Sequence, residues 1–408
     1  MLDKTRDAAR PQETGRTTAD RLYDLGFFLV EAFGALEVTA VIVANARITE
    51  TLGMPEEWSS FIINSYLYPL FVGMLIILLL SRRISGKLPP LPFFLTGLLL
   101  FACGNIVCCQ SENPSRFFTG RFIMGVGGAI SFAGQLWTLS VFHRRRMMGT
   151  LVWGEAGTAL GVVAGPIVGA VFAQASPEGW RHFFLLNAGL GLATAAFAYF
   201  SLRNLLASRE EPAPTGDGDS EGRKTARVMT AWQLAVSILM VGTEYLFSDY
   251  LQAKLGMSPM FVGGMTLLAS AGAIVGSLWA ARMENQLEKL PFLSTAGLLL
   301  ALALIAQCLA AKAFIPVSIP IFGAGLCTGL ASVSIYASIV QRSRPDQFLP
   351  RSMVYLLGMQ IGNALGVQAV GMAELRHLGL AATACMIAVL PLIITVGTLG
   401  YSRAASGK

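Results

Sequence analysis

Twelve stretches of roughly 20 or more mainly apolar residues, each long enough to cross a bilayer as a helix, divide this chain. They fall at about 26–46, 58–81, 91–109, 117–141, 148–174, 183–202, 230–252, 260–281, 291–311, 316–340, 350–372 and 378–401. The runs are too long and too unbroken for barrel strands. Hydrocarbon offers the backbone no water to bond, so each segment must satisfy its own peptide groups, and only a helix does that. Composition agrees. Of 408 residues, 54% are hydrophobic and 13% charged, against about 25% charged in an ordinary soluble domain. The sequence predicts an all-α polytopic membrane protein and excludes a soluble multidomain enzyme, a disordered chain and a disulfide scaffold.

The connections are short except for one polar, Glu-, Gly- and Pro-rich stretch. It divides the chain into a tail (1–24), a six-helix bundle (25–202), a linker (203–229), a second bundle (230–402) and a short end (403–408). A repeat supports two pseudo-symmetric bundles. Gly157-Thr158-Ala159-Leu160-Gly161-Val162 in helix 5 recurs as Gly362-Asn363-Ala364-Leu365-Gly366-Val367 in helix 11, and helices 4 and 10 are both glycine-rich. Membrane proteins made of two such halves hold small molecules between them near the midplane.

With both ends placed on one side, the connections on that side hold 23 of the 30 Lys and Arg. The opposite loops hold six: Arg47, Arg116, Arg181, Lys254, Lys312 and Arg376. Arg121 lies within a span. The positive-inside rule puts both termini in the cytoplasm. An anionic leaflet then accounts for the +6 net charge without a nucleic-acid partner. The hydrophilic first 22 residues carry both signs of charge, which argues against a secretory signal or a mitochondrial presequence. The expected location is a bacterial inner membrane.

Charges at membrane depth are few: Glu31, Glu37, Arg121, Glu155, Glu244 and Asp249. Each costs about 3 kcal/mol or more at the bilayer centre, so each should face the interior with a partner or line a wet cavity. Asn64, Tyr66, Gln135, Trp137, Glu244, Gln360 and Asn363 are candidates to line that cavity, although such residues also serve as bonds between helices. Glycines four apart in helix 5 and at Gly272 and Gly276 of helix 8 let helices approach closely, and the two sets look complementary. The six Cys lie in apolar helices and the three His have no ligand spacing, so no metal is expected. No G-x-x-x-x-G-K-[ST] phosphate loop occurs, and no nucleophile–base pattern suggests an enzyme.

Several stretches resemble the major facilitator superfamily, in particular its drug:proton antiporters of the EmrB/QacA type. Leu36-Glu37-Val38-Thr39 with Asn45-Ala46 resembles L-D-x-T…N-V-A-L-P, with Glu for Asp and without the Pro. Arg121-Phe122-Ile123-Met124-Gly125-Val126-Gly127 resembles R-x-x-Q-G-x-G, with Met for Gln. Gly161, Gly165, Pro166 and Gly169 match the antiporter pattern G-x-x-x-G-P-x-x-G. Gly179-Trp180-Arg181 with Phe183, Phe184 and Asn187, and Leu251-Gln252 with Leu255, Gly256, Ser258 and Pro259, are similar to two further family stretches. The chain departs in having twelve spans where the branch usually has fourteen. Its loop 81–87 keeps the basic charge of the family's gating motif but lacks the Asp.

The resemblance implies a monomeric secondary transporter that exports small organic molecules by alternating access. It would need no cofactor and draw on the proton gradient. Its cargo would be a drug-like amphiphile or a secreted metabolite such as a siderophore. A carboxyl group in a low-dielectric cavity takes up a proton more readily than one in water, and a neighbouring arginine stays charged. Glu37 with Arg121, both on family motifs, is the expected proton-coupling pair, with Glu31 as second carboxylate; a purely structural ion pair is the competing reading. The glycine–proline face of helix 5 would seal the cavity and favour export, although tight packing alone would use the same spacing. An uptake symporter of the same fold and a transport-inactive sensor or assembly partner are the alternatives.

Overall fold

The computed structural model describes residues 18–84, 89–142, 147–203, 220–283, 287, 289–342 and 348–405. Among them are twelve long helices and no strand. These are α1 (Thr18–Thr51), α2 (Ser59–Ile84), α3 (Pro90–Cys109), α4 (Pro114–Phe142), α5 (Met147–Ala175), α6 (Gly179–Leu202), α7 (Ser220–Asp249), α8 (Pro259–Arg282), α9 (Leu290–Ala310), α10 (Phe314–Gln341), α11 (Phe348–Leu375) and α12 (Leu380–Ala405). All twelve are long and apolar enough to cross a membrane. α7 begins at Ser220, inside the stretch read as linker, because hydropathy marks where a helix meets lipid and not where its hydrogen bonds begin. Most of the linker, the first 17 residues and the basic cluster 143–146 lie outside the described residues.

The packing repeats. α1 lies on α5 as α7 lies on α11, α2 on α4 as α8 on α10, α3 on α4 and α6 as α9 on α10 and α12. Two related seams join the halves, α5 with α8 and α2 with α11. At each seam a small residue lets the backbones close. Added to Gly263 of α8, a Cβ would lie 2.7 Å from the Pro166 carbonyl oxygen of α5. Added to Gly371 of α11, it would strike the Ser60 hydroxyl of α2.

Two of the sequence stretches prove to be helix punctuation at the end away from the linker, called here the far end. After α7 a π-helical turn, Tyr250–Lys254, leads to Gly256 at φ 64°, a left-handed position that suits glycine. Ser258 then caps α8 by accepting from the Phe261 N–H at 3.3 Å, and Pro259 opens that helix. At the start of α6, Trp180, Phe117 and Phe184 pack edge to face with centroids 5.6–6.0 Å apart. The Arg181 guanidinium lies over Trp180 and donates to the Cys109 and Ser111 carbonyls at the end of α3, satisfying groups the helix leaves open.

Gly161, Gly165 and Gly169 face α1, where Cβ atoms would strike the Ala32 carbonyl, the Thr39 side chain and the Ala40 carbonyl. Gly272 and Gly276, expected to complement them, do not. They pack against Phe322 and Leu326 of α10, and Gly325 and Gly329 of α10 return the contact on Ala269 and Ala273. Spacing shows that a face is small; the pseudo-symmetry decides which neighbour takes it. Gly161→Val should therefore destabilise the protein by about 1–3 kcal/mol, as overpacking does, read as a lower apparent Tm in detergent. Gly264→Ala, where none of the described residues lies within 4 Å of the added Cβ, should leave Tm unchanged or slightly raised; equal effects at the two positions would contradict this packing.

Candidate functional site

Glu37 lies on α1 and Arg121 on α4, and neither has any exposed surface. α1 can come close enough because its Ala32–Ala40 face lies on the glycines of α5. α4 can press on α2 because Gly125 meets the Tyr66 backbone and Pro69. The Arg121 guanidinium donates through Nη1 to Glu37 Oε1 and through Nε to the Ile62 carbonyl of α2 at 3.0 Å. Its flat face covers the Tyr66 ring at 5.0 Å and the Phe184 ring at 5.9 Å, cation–π contacts that suit a desolvated arginine. Among the described residues, the buried Glu37 Oε2 and Arg121 Nη2 find no hydrogen-bond partner. The pair is thus enclosed, with one carboxylate oxygen and the Nη2 amino group not engaged by the described residues.

Glu31, a turn and a half nearer the linker end, belongs to a second polar group. Gln135 Nε2 donates to it at 3.4 Å and the Thr158 hydroxyl at 3.5 Å. Tyr66 is almost fully buried beneath Arg121. Trp137 is half-buried, edge-on to Phe93 at 5.8 Å. On α11 the Asn363 amide donates to Gln360 Oε1 at 3.3 Å. Glu244 is half-buried on α7, one turn from Ser248. The structure therefore brings Glu37 to Arg121 and Glu31 to Gln135, and places Gln360, Asn363 and Glu244 on the helices of the other half. The Glu155 side chain lies outside the described residues.

A layer of contacts between the halves, which the sequence reading did not single out, lies toward the far end. The Tyr245 hydroxyl of α7 accepts from Asn45 of α1 at 3.1 Å and bonds the Ser59 hydroxyl of α2 at 2.6 Å. Ser59 also donates to Glu374 of α11 at 3.3 Å. Deeper, Asn64 (3.2 Å) and Tyr68 of α2 both donate to Gln368 Oε1 of α11. Ser248 donates to the Ile42 carbonyl at 3.2 Å, and Ser270 of α8 to the Val162 carbonyl of α5 at 2.9 Å. Asn64, read as cavity lining, is here a bond across the seam. Gln368 is a polar residue within an apolar run, a signal that could have marked it; Glu374 sits at a helix end, where a charge is ordinary.

The family model of the Major Facilitator Superfamily matches residues 27–367. The chain belongs to the Major Facilitator Superfamily. It is a multi-pass membrane transporter and not an enzyme. It is 22% identical to the Methylenomycin A resistance protein of Bacillus subtilis over 85% of each chain. It is 24% identical to the protein of that name from Streptomyces coelicolor over 82% of each. A crystal structure of a D-xylose–proton symporter superposes with a TM-score of 0.66 at 12% identity, covering 92% of this chain and 96% of that one, a likeness of fold. Within that superfamily fold the Glu37–Arg121 pair lies inside the N-terminal half.

Removing one member of such a pair leaves an uncompensated buried charge, which costs about 3–5 kcal/mol. Arg121→Ala should lower the detergent Tm sharply. Adding Glu37→Gln to it should restore part of the loss, because the orphaned charge is then gone. A double variant no more stable than Arg121→Ala alone would show that the two residues do not act as a pair.

Proposed function

We propose that this chain is a proton-coupled exporter of small organic molecules, working by alternating access as an antiporter in a bacterial inner membrane with both termini in the cytoplasm. The observation that carries the reading is the enclosed Glu37–Arg121 pair with its unpartnered Oε2 and Nη2, on a helix held by the antiporter glycines. A carboxyl group so placed can exchange a proton only when its surroundings move, and movement of the halves is what alternating access supplies. Glu31, in the neighbouring polar group with Gln135 and Thr158, is the second proton-carrying group. Glu244, Gln360, Asn363 and Trp137 serve the cargo.

The cargo class is a drug-like amphiphile or a secreted metabolite such as a siderophore. Two relatives named for resistance to methylenomycin A support export of a toxic small molecule. The fold does not set direction, since a proton symporter of a sugar shares it; the Gly161, Gly165, Pro166 and Gly169 pattern is what favours export. The proton gradient is the energy source and the working unit is one chain.

Everted membrane vesicles with an imposed proton gradient test this. Amphiphilic dyes, antibiotics and siderophores are added in turn while the internal pH is followed. At least one compound should dissipate the gradient in wild-type vesicles and fail to do so with Glu37→Gln, which keeps the shape of the side chain. A response that Glu37→Gln reproduces removes Glu37 from the coupling. A wild type silent to every compound overturns export of this cargo class.

A further inference from the structure

Pro166 has a consequence beyond the helix that carries it. Proline has no N–H, so the carbonyl four residues earlier loses its partner within the helix. In α5 that carbonyl belongs to Val162. It accepts instead from Ser270 of α8, in the other half, at 2.9 Å. Ser270 is buried, and its hydroxyl has a weaker alternative at 3.3 Å, the Thr266 carbonyl of its own helix. A buried carbonyl without a donor is costly, and a hydroxyl has one proton to give. The shorter bond across the seam thus meets the need that proline creates.

We infer that Ser270 is a positioning residue of the transport cycle, whose bond to the proline-freed Val162 carbonyl latches the α5–α8 seam closed. Proline makes the latch conditional. While the halves are together, the carbonyl has a donor; when they part, both it and Ser270 must find water or another partner. An ordinary residue at 166 would satisfy Val162 from within α5 in both states, and the seam would lose this preference. Gly263, about two turns away on the same face of α8, holds the same seam tight by resting on the Pro166 carbonyl and Ala170.

The test needs neither cargo nor a proton gradient, so its failure leaves the antiport reading standing. It rests on that reading only in taking the halves to separate at this seam. Hydrogen–deuterium exchange is measured on the full chain in lipid nanodiscs, following the far-end peptides of α2 and α11. These carry no substitution and form the opposite seam, so they report opening of the halves and not local damage. Ser270→Ala should raise opening about fivefold, the effect of losing one ordinary hydrogen bond. Ser270→Thr, which keeps the hydroxyl, should stay close to wild type. In a Pro166→Ala background, where the helix supplies its own donor, Ser270→Ala should change opening less than about twofold. Exchange unaltered by Ser270→Ala, or an equal increase in both backgrounds, overturns the latch.

Discussion

Taking a guanidinium and a carboxylate out of water costs several kcal/mol per ion even after the surroundings relax, so the pair at Glu37 and Arg121 constrains everything near it. Attraction between the two offsets part of this. The rest has to come from other atoms, and each of those fixes an element. The Ile62 carbonyl takes Arg121 Nε and ties α2 to α4. Tyr66 and Phe184 cover the cation from α2 and α6. α1 must lie close enough to present Glu37, which it does by resting on a face of α5 with no side chains. The packing of the first bundle is in this sense the solvation shell of one ion pair, with Glu37 Oε2 and Arg121 Nη2 left without a partner among the described residues.

The two seams obey one pseudo-symmetry and use different chemistry. Position 166 of α5 corresponds to position 371 of α11 by the offset of the repeated hexapeptide. One is Pro166, which frees a carbonyl for a serine on the facing helix. The other is Gly371, which admits Ser60 of the facing helix. Beside Gly371 the bonds across are between side chains, from Asn64 and Tyr68 to Gln368 and from Ser59 to Glu374. A side-chain bond can be remade with water or cargo by turning a rotamer. At α5–α8 only the Ser270 hydroxyl can turn, because a backbone carbonyl within a helix cannot do so without bending the helix.

The number of helices, their order and the division into halves were legible because hydrocarbon imposes one rule on every segment. Glu37 and Arg121 were legible because a charge inside an apolar run needs an explanation wherever its helix points. The partners of the glycine faces were not. Gly272 and Gly276 present the same spacing as Gly161 and Gly165, and only three-dimensional symmetry sends one set to α10 and the other to α1. Ser270, Tyr245 and Ser59 were missed for a related reason. A hydroxyl in a transmembrane helix usually bonds back to its own backbone, as many do here, so sequence does not distinguish those that reach across.

α5 joins the pair to the seam. Gly161 and Gly165 receive α1, and Val162 and Pro166, each one residue further on, lie about 100° round the same helix and meet α8. On α1, Leu36 lies against Gly161 and Gly165, and Glu37 follows it. Six residues of α5 thus contact the helix bearing the buried carboxylate on one face and the other half of the transporter on the next. The α1 contact is made mainly by glycine on backbone, with the Thr39 side chain and the Ala35 methyl beside it. Val162 on one face of α5 and Gly161 and Gly165 on the next thus place α8 and α1 on neighbouring sides of a single helix. In that geometry the buried pair at Glu37 and the seam bond at Ser270 belong to one contact chain that runs through α5.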